Sequence, residues 1–491
     1  MESKYILGID QSTQGTKVLL FDEKGKIVDK VSMEHRQIID QQGWVEHDPI
    51  EIYNNTIFLV KRLIEKLSFD PSCILGVGLT NQRETALVWD KETGKPVYNA
   101  IVWQCARAAE ICKRIEDHAS YIQESTGLHL SPYFTAGKIA WVLENVEGAK
   151  EKSEAGKLAY GTVDSWLIYK LTKNKTFKTD YSNASRTQLF NINTLTWDEK
   201  ICGYFGINTS CLAKVVDSNS NFGMTDFDGV LEQAIPIHSV MGDSHGALFG
   251  QNCQQKGMVK ATYGTGSSIM MNIGKEPIYS DKGIVTSLAW GVDGEVSYVL
   301  EGNINYTGAV ISWLKNDLKL IENASETDQL AMEGNKADHT YLVPAFSGLG
   351  APYWDSDATA ILCGMTRTTG KAEIVKAALE SIGYQIGDIV NLMSEESGIT
   401  IEELRVDGGP TRNQYLMQFQ SDLLDTVVAV PQMEELSVIG VSYMAGIAMG
   451  IYDLEEVMKN LEHKKYFSAM DEEERSRKYQ GWKKSVAMVL A

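Results

Sequence analysis

Arg83 and Glu84 stand side by side just past the short apolar run 74–79. A guanidinium that donates beside a carboxylate that accepts can clamp vicinal hydroxyls, the bland alternative being a surface ion pair. Asp243 follows a second apolar run, 234–241, and precedes the helix-like Ala247-Leu-Phe-Gly. There it is a candidate general base toward a hydroxyl attacking phosphorus, or else a helix N-cap. His245, two residues on, reads as a packing residue. Trp103 and Tyr133 offer apolar walls to a carbon chain, although a Trp more often fills core.

Phosphate chemistry is suggested by two similar turns. Residues 5–21 run apolar, then Asp10-Gln-Ser-Thr-Gln-Gly-Thr16, then apolar again, and residues 260–272 repeat the scheme around Gly264-Thr-Gly-Ser-Ser268. The Gly, Ser and Thr tip of such a hairpin presents N–H groups and hydroxyls to phosphate oxygens, and Asp10 could hold a hydrated Mg²⁺. Either hairpin alone is ordinary. Asp407-Gly-Gly-Pro410-Thr-Arg-Asn413 adds paired glycines that let a nucleotide approach the backbone closely. There is no G-x-x-x-x-G-K-[ST], so a P-loop fold is not supported.

The elements that must position these residues follow from the patterning. The first hairpin predicts two strands, with a third after Gly25. Asp48-Pro49 predicts an N-cap and first turn for a helix with the stripe Ile50, Tyr53, Ile57, Val60, Ile64 and Leu67. Runs 74–79 and 234–241 predict strands, and the polar stretch 208–228 a long loop. Because the hairpin recurs in the second half, two similar α/β lobes meeting near residue 250 and facing one cleft are expected. The 491 residues exceed what one hydrophobic core organises, and 43% hydrophobic with 23% charged residues is globular composition. A formal charge of −19 opposes nucleic acid and anionic membrane partners. Seven cysteines without a C-x-x-C or Cys/His cluster read as reduced, mostly buried thiols. With no run of 18 apolar residues and no apolar signal core, a cytoplasmic protein is expected.

Several stretches together resemble the FGGY family of carbohydrate kinases, its glycerol kinase members most of all, over nearly the whole length. They are Asp10-Gln11 with Thr13, Gly43-Trp-Val-Glu-His-Asp-Pro49, Thr80-Asn-Gln-Arg-Glu-Thr85, Asn99-Ala-Ile-Val-Trp-Gln-Cys105, Asp180-Tyr-Ser-Asn-Ala-Ser-Arg186, Gly348-Leu-Gly-Ala-Pro-Tyr-Trp-Asp355 and Arg405-Val-Asp-Gly-Gly409. The resemblance implies an α/β fold of two actin-like, ribonuclease H-like domains around an ATP cleft: residues 1–249 with acceptor and base, residues 250–491 with nucleotide. It implies Arg83, Glu84, Trp103 and Tyr133 at the polyol, Asp243 as catalytic base, and Asp10 on the metal side. Thr13, Lys17, Thr265, Gly308, Ser312, Gly409 and Asn413 fall at nucleotide or phosphate positions.

The departures concern the acceptor. Glycerol kinases carry Asp-Gln-Gln where this chain has Asp243-Ser244-His245, and Gly-Cys-Phe where it has Gly266-Ser267-Ser268. Ser244 and Ser268 remove bulk, so a polyol or ketose of four or five carbons is expected in place of glycerol, with glycerol as the alternative. Lys17 replaces Arg and Ser312 replaces Gln, changes that keep charge or polarity. The basic Gly-Gly-Thr-Arg loop that binds a sugar bisphosphate regulator in some glycerol kinases is not found in 221–235, so no such regulation is expected. A homo-oligomer is expected by analogy alone. A reading from another class, an actin- or chaperone-type ATPase switch, lacks a use for the Arg-Glu clamp.

Overall fold

The computed structural model describes residues 4–355 and 357–491. Strands Tyr5–Gln11 (β1), Gly15–Phe21 (β2), Ile27–Glu34 (β3), Ile74–Asn81 (β4), Gly223–Thr225 (β5) and Ile235–Gly242 (β6) form one sheet in the order β5-β6-β4-β1-β2-β3. A second sheet holds Val259–Tyr263 (β7), Ser267–Gly274 (β8), Val285–Val292 (β9), Glu295–Ile304 (β10), Glu403–Asp407 (β11), Val427–Pro431 (β12) and His463–Tyr466 (β13), ordered β9-β10-β8-β7-β11-β12-β13. The core β3-β2-β1-β4-β6 of the first thus recurs as β10-β8-β7-β11-β12: an antiparallel meander of three strands, then two parallel strands. This is the ribonuclease H-like order, twice, and the two Gly/Ser/Thr turns are the β1–β2 and β7–β8 hairpins.

Six helices matter for the site: Pro49–Ile64 (α1), Thr135–Asn145 (α2), Asp243–Gly250 (α3), Gly308–Asn316 (α4), Gln414–Leu424 (α5) and Leu436–Ala448 (α6). Asp48 caps α1 by accepting from the Ile50 N–H at 2.8 Å. The buried face of α1 is Ile52, Thr56, Leu59, Val60 and Leu63, whereas Ile50 of the expected stripe is 37% exposed. The stripe read from the sequence is therefore displaced toward the flank of the true face, because Tyr53, Ile57, Ile64 and Leu67 pack only partly against the core.

Stretch 208–228 is not one loop. Lys214–Val216 pairs in parallel with Lys178–Asp180, and β5 pairs with the start of β6. Three-residue strands are too short to show a period of two, and backbone pairing alone decides them.

Helix α6 comes after β12 of the second sheet yet packs on the first. Its Val438, Ile439 and Val441 join Ile6, Leu19 and Phe21 from β1 and β2, and Met270 and Ala289 from β8 and β9, in a single cluster. It crosses α3, the helix that leads out of the first sheet, at glycines. A Cβ on Gly440 would stand 2.0 Å from the Gly246 carbonyl oxygen, and one on Gly250 2.2 Å from that of Leu436. The two helices form the seam between the lobes, and their backbones touch there.

Candidate active site

Strand β4 ends by delivering Arg83 and Glu84 into the interior, 5% and 2% exposed, which rules out the surface ion pair. Glu84 takes φ = 58°, a conformation unfavourable for a residue with a side chain, so the chain is strained where it aims this carboxylate. The Arg83 guanidinium lies against Glu301 of β10 at 2.8 and 2.7 Å. Its Nε faces Asp243 at 3.4 Å and Glu84 at 4.0 Å. Arg186 closes the cluster, 2.5 Å from Glu84 and 3.1 Å from Glu301. Burial works against the Glu301 charge, but Arg186 and Arg83 hold its pKa well below the usual carboxylate range. Sequence reasoning missed both partners. Arg186 sat in a quoted stretch without a role, and Glu301 is a lone carboxylate within the apolar strand Val299-Leu-Glu-Gly302, a signal that could have been used.

Asp243 is the first residue of α3. Gly242 takes the cap position and makes no side-chain cap bond, while the Asp243 carboxylate accepts from the Ser244 N–H at 2.6 Å. Trp103 and Tyr133 face each other with ring centroids 5.6 Å apart, and Trp103 Nε1 donates to Thr13 Oγ1 at 2.9 Å. The apolar wall is thereby tied to the tip of the β1–β2 hairpin. Ser244 is half-buried. Ser268 pairs in register with Asn303 of β10, and its buried Oγ has no hydrogen-bond partner. His245 is fully buried with both ring nitrogens unpartnered, and burial, then Arg83, pull its pKa well below the ordinary imidazole value.

A cavity of about 590 Å³ is lined by Asp10, Lys17, Asp407, Gly408, Gly409, Thr411, Arg412 and the segment around Glu435, among others. Burial pushes the Asp10 carboxyl up to about 7, opposed by Lys17 and reinforced by Asp243 and Glu435, and its Oδ1 has no partner. Such a carboxylate fits a cation. A Mg²⁺ ion that keeps most of its waters and takes phosphate oxygens needs only one or two protein carboxylates. Lys17 pairs with Glu435 at 2.5 Å.

Thr265, Gly308, Ser312 and Asn413 are not in that lining. Gly308 opens α4, with its N–H on the Gly264 carbonyl at 2.9 Å, and a Cβ there would lie 3.8 Å from Pro410. Thr265 accepts from the N–H groups of Thr307 and Ala309 at 2.9 and 3.1 Å. Gly308 thus lies beside the turn that holds Gly408, Gly409 and Pro410, and Ser312 is exposed on α4. Asn413 caps α5 and donates to Thr327.

A carboxylate at a helix start, a buried Arg/Glu cluster and a cavity between the first hairpin and the 407–437 region is an arrangement with known relatives. Family models describing the FGGY family of carbohydrate kinases match here, the N-terminal domain over residues 5–250 and the C-terminal domain over 259–449. The chain belongs to the FGGY family. It is accordingly a phosphotransferase with an alcohol group as acceptor. A glycerol kinase of Thermoanaerobacter pseudethanolicus is 47% identical, with 99% of each chain covered. Glycerol kinase 1 of Thermotoga maritima is 49% identical at the same coverage. In solved FGGY kinases, Plasmodium falciparum glycerol kinase with ADP superposes with a TM-score of 0.94 at 38% identity, covering 99% of this chain and 98% of that one. A ligand-bound xylulose kinase of Lactobacillus acidophilus gives 0.88 at 21% identity, covering 99% and 97%, which is likeness of fold.

Proposed function

We propose an ATP- and Mg²⁺-dependent kinase that phosphorylates a terminal hydroxyl of a small polyol or ketose, with room for four or five carbons. The observation that carries the larger acceptor is the small side chain of Ser268, which pairs in register with Asn303, a residue lining a second cavity. That cavity, about 670 Å³, includes Tyr133, Arg186, Glu301, Asn303 and Asn305 in its lining. Glycerol remains the second reading, favoured by relatives 47% and 49% identical that bear that name.

In the mechanism, Arg83 and Glu84 orient the acceptor hydroxyls while Trp103, Tyr133, Ser244 and Ser268 bound its chain. Asp243 accepts the proton of the attacking hydroxyl, and the Arg83 Nε beside it at 3.4 Å keeps the carboxylate turned to the acceptor. Lys17 and Gly409 line the cavity proposed for the nucleotide, Thr13, Thr265, Gly308, Ser312 and Asn413 would meet it from outside that lining, and Asp10 would hold Mg²⁺ with the phosphates. When bound there, the ion supplies charge neutralisation at the transferring phosphoryl group. The division of labour places acceptor and base in residues 1–249 and most of the nucleotide site in 250–491. Seven free cysteines fit a cytoplasmic location, and among the described residues no helix is long and apolar enough to cross a membrane.

ADP release at fixed ATP and Mg²⁺ with glycerol, erythritol, threitol, xylitol, erythrulose, ribulose and xylulose, against a blank without acceptor, tests this. A kcat/KM at least tenfold above glycerol for a longer compound is expected, and Ser268→Phe should shift preference back toward glycerol. Glycerol as the best acceptor overturns the larger pocket, and a blank as fast as every acceptor overturns the small-molecule kinase.

A further inference from the structure

Lys138 is fully buried on the second turn of α2. A cation there is doubly disfavoured. It is out of water, and it faces the positive end of its own helix, whose cap residue Phe134 supplies no side-chain acceptor. Burial accordingly pulls its pKa down to about 7, with Glu84 opposing. What holds it is a ring of backbone oxygens. Its Nζ donates to the carbonyls of Pro132 at 2.9 Å and Phe134 at 3.1 Å, and to that of Tyr133 between them. An ammonium has three hydrogens, and three consecutive carbonyls take all of them.

Those carbonyls belong to the segment that presents Tyr133 to Trp103. The same segment grips the strained strand end, because Thr135 Oγ1 donates to the Glu84 carbonyl at 3.2 Å. Pro132 donates no N–H, and the Tyr133 N–H makes only a local bond to Ser131 Oγ at 3.2 Å. The Phe134 N–H reaches the Ser131 carbonyl at a long 3.4 Å and its ring packs with Leu128 and Val285, so the ammonium supplies the short polar contacts that gather these three carbonyls. A methionine would fill the space at similar length without any donor.

We propose that Lys138 is a positioning residue for the acceptor: its ammonium gathers the Pro132, Tyr133 and Phe134 carbonyls and so holds the Tyr133 ring in place beside Trp103. This rests on Tyr133 being the acceptor wall proposed above. The test is steady-state kinetics on Lys138→Met, Tyr133→Ala and the double variant, with glycerol and erythrulose as acceptors and ATP varied separately. Lys138→Met should raise acceptor KM tenfold or more while ATP KM stays within twofold. The double variant should be no worse than the worse single one, since both changes remove the same wall. If Tyr133→Ala raises acceptor KM and Lys138→Met does not, or if the two losses multiply, Lys138 does not act through Tyr133. An unchanged KM in Tyr133→Ala removes the acceptor wall itself and the proposal with it. Should Lys138→Met not fold, Lys138→Arg decides, since its planar fork cannot meet the same three oxygens without moving the segment. A raised acceptor KM with ATP KM unchanged supports the proposal, and a wild-type acceptor KM overturns it.

Discussion

Asp10 sits where its own charge is penalised, and that penalty can be read as stability. Its pKa is about 7 in the folded chain against 3.8 as the ordinary value. Between those values the folded state binds the proton more tightly than the unfolded one, so this group's contribution to stability falls as pH rises from about 4 to about 7 and stays lost above. Asp10→Asn should therefore raise the thermal midpoint at pH 8 and leave it nearly unchanged at pH 4, while sharply reducing turnover. A lower midpoint at pH 8 would count against a functional carboxylate kept at a structural cost. Asp243 has the Arg83 Nε beside it at 3.4 Å. Asp243→Asn should lower kcat by roughly 10²–10⁴, the span attributed to general bases, with ATP affinity within about twofold by titration calorimetry. At this scale the sequence exposed adjacency and little else. Arg83 and Glu84 were legible because they are neighbours in the chain. Glu301, 218 positions from Arg83, was not, because only folding brings it there.

Elements were legible where a pattern repeats and hidden where the backbone alone decides. The two Gly/Ser/Thr hairpins announced two equivalent meanders, and Asp48-Pro49 announced the start of α1. Nothing in Leu436–Ala448 says that it leaves its own lobe: it is apolar on nearly every side, as a helix buried between two sheets must be. Its Gly440 is the clue that only the structure makes readable. Gly440→Ala puts a methyl 2.0 Å from the Gly246 oxygen, and backbone on both sides cannot yield cheaply. The substitution should cost about 1–3 kcal/mol of stability, seen as an earlier chemical-denaturation midpoint. Because Gly246 is three residues from Asp243 on the same short helix, kcat should fall as well, without a change in acceptor identity. An active, fully stable Gly440→Ala protein would mean that the two helices separate freely.

Across the whole molecule, the acceptor cluster is one of the places where the lobes are joined. Arg83, Glu84 and Arg186 come from the first half, and Glu301 comes from β10 of the second, entirely buried. The clamp proposed for the acceptor is thus assembled from both halves of the chain. The cavity proposed for the nucleotide draws on both halves as well, with Asp10 and Lys17 meeting the 407–437 region. Glu301 accordingly carries two duties, and removing it leaves two guanidinium groups partly unpaired in the interior. Losing one side of a buried ion cluster typically costs about 3–5 kcal/mol. Glu301→Gln, which keeps the volume and one acceptor oxygen, should lower the thermal midpoint and raise acceptor KM together, since Arg83 is released from the position where it meets the acceptor. Saturating acceptor should then recover part of the lost midpoint, because binding again pairs Arg83 and favours the docked state. A lowered midpoint with wild-type acceptor KM would make the cluster a weld between the lobes and no part of acceptor recognition.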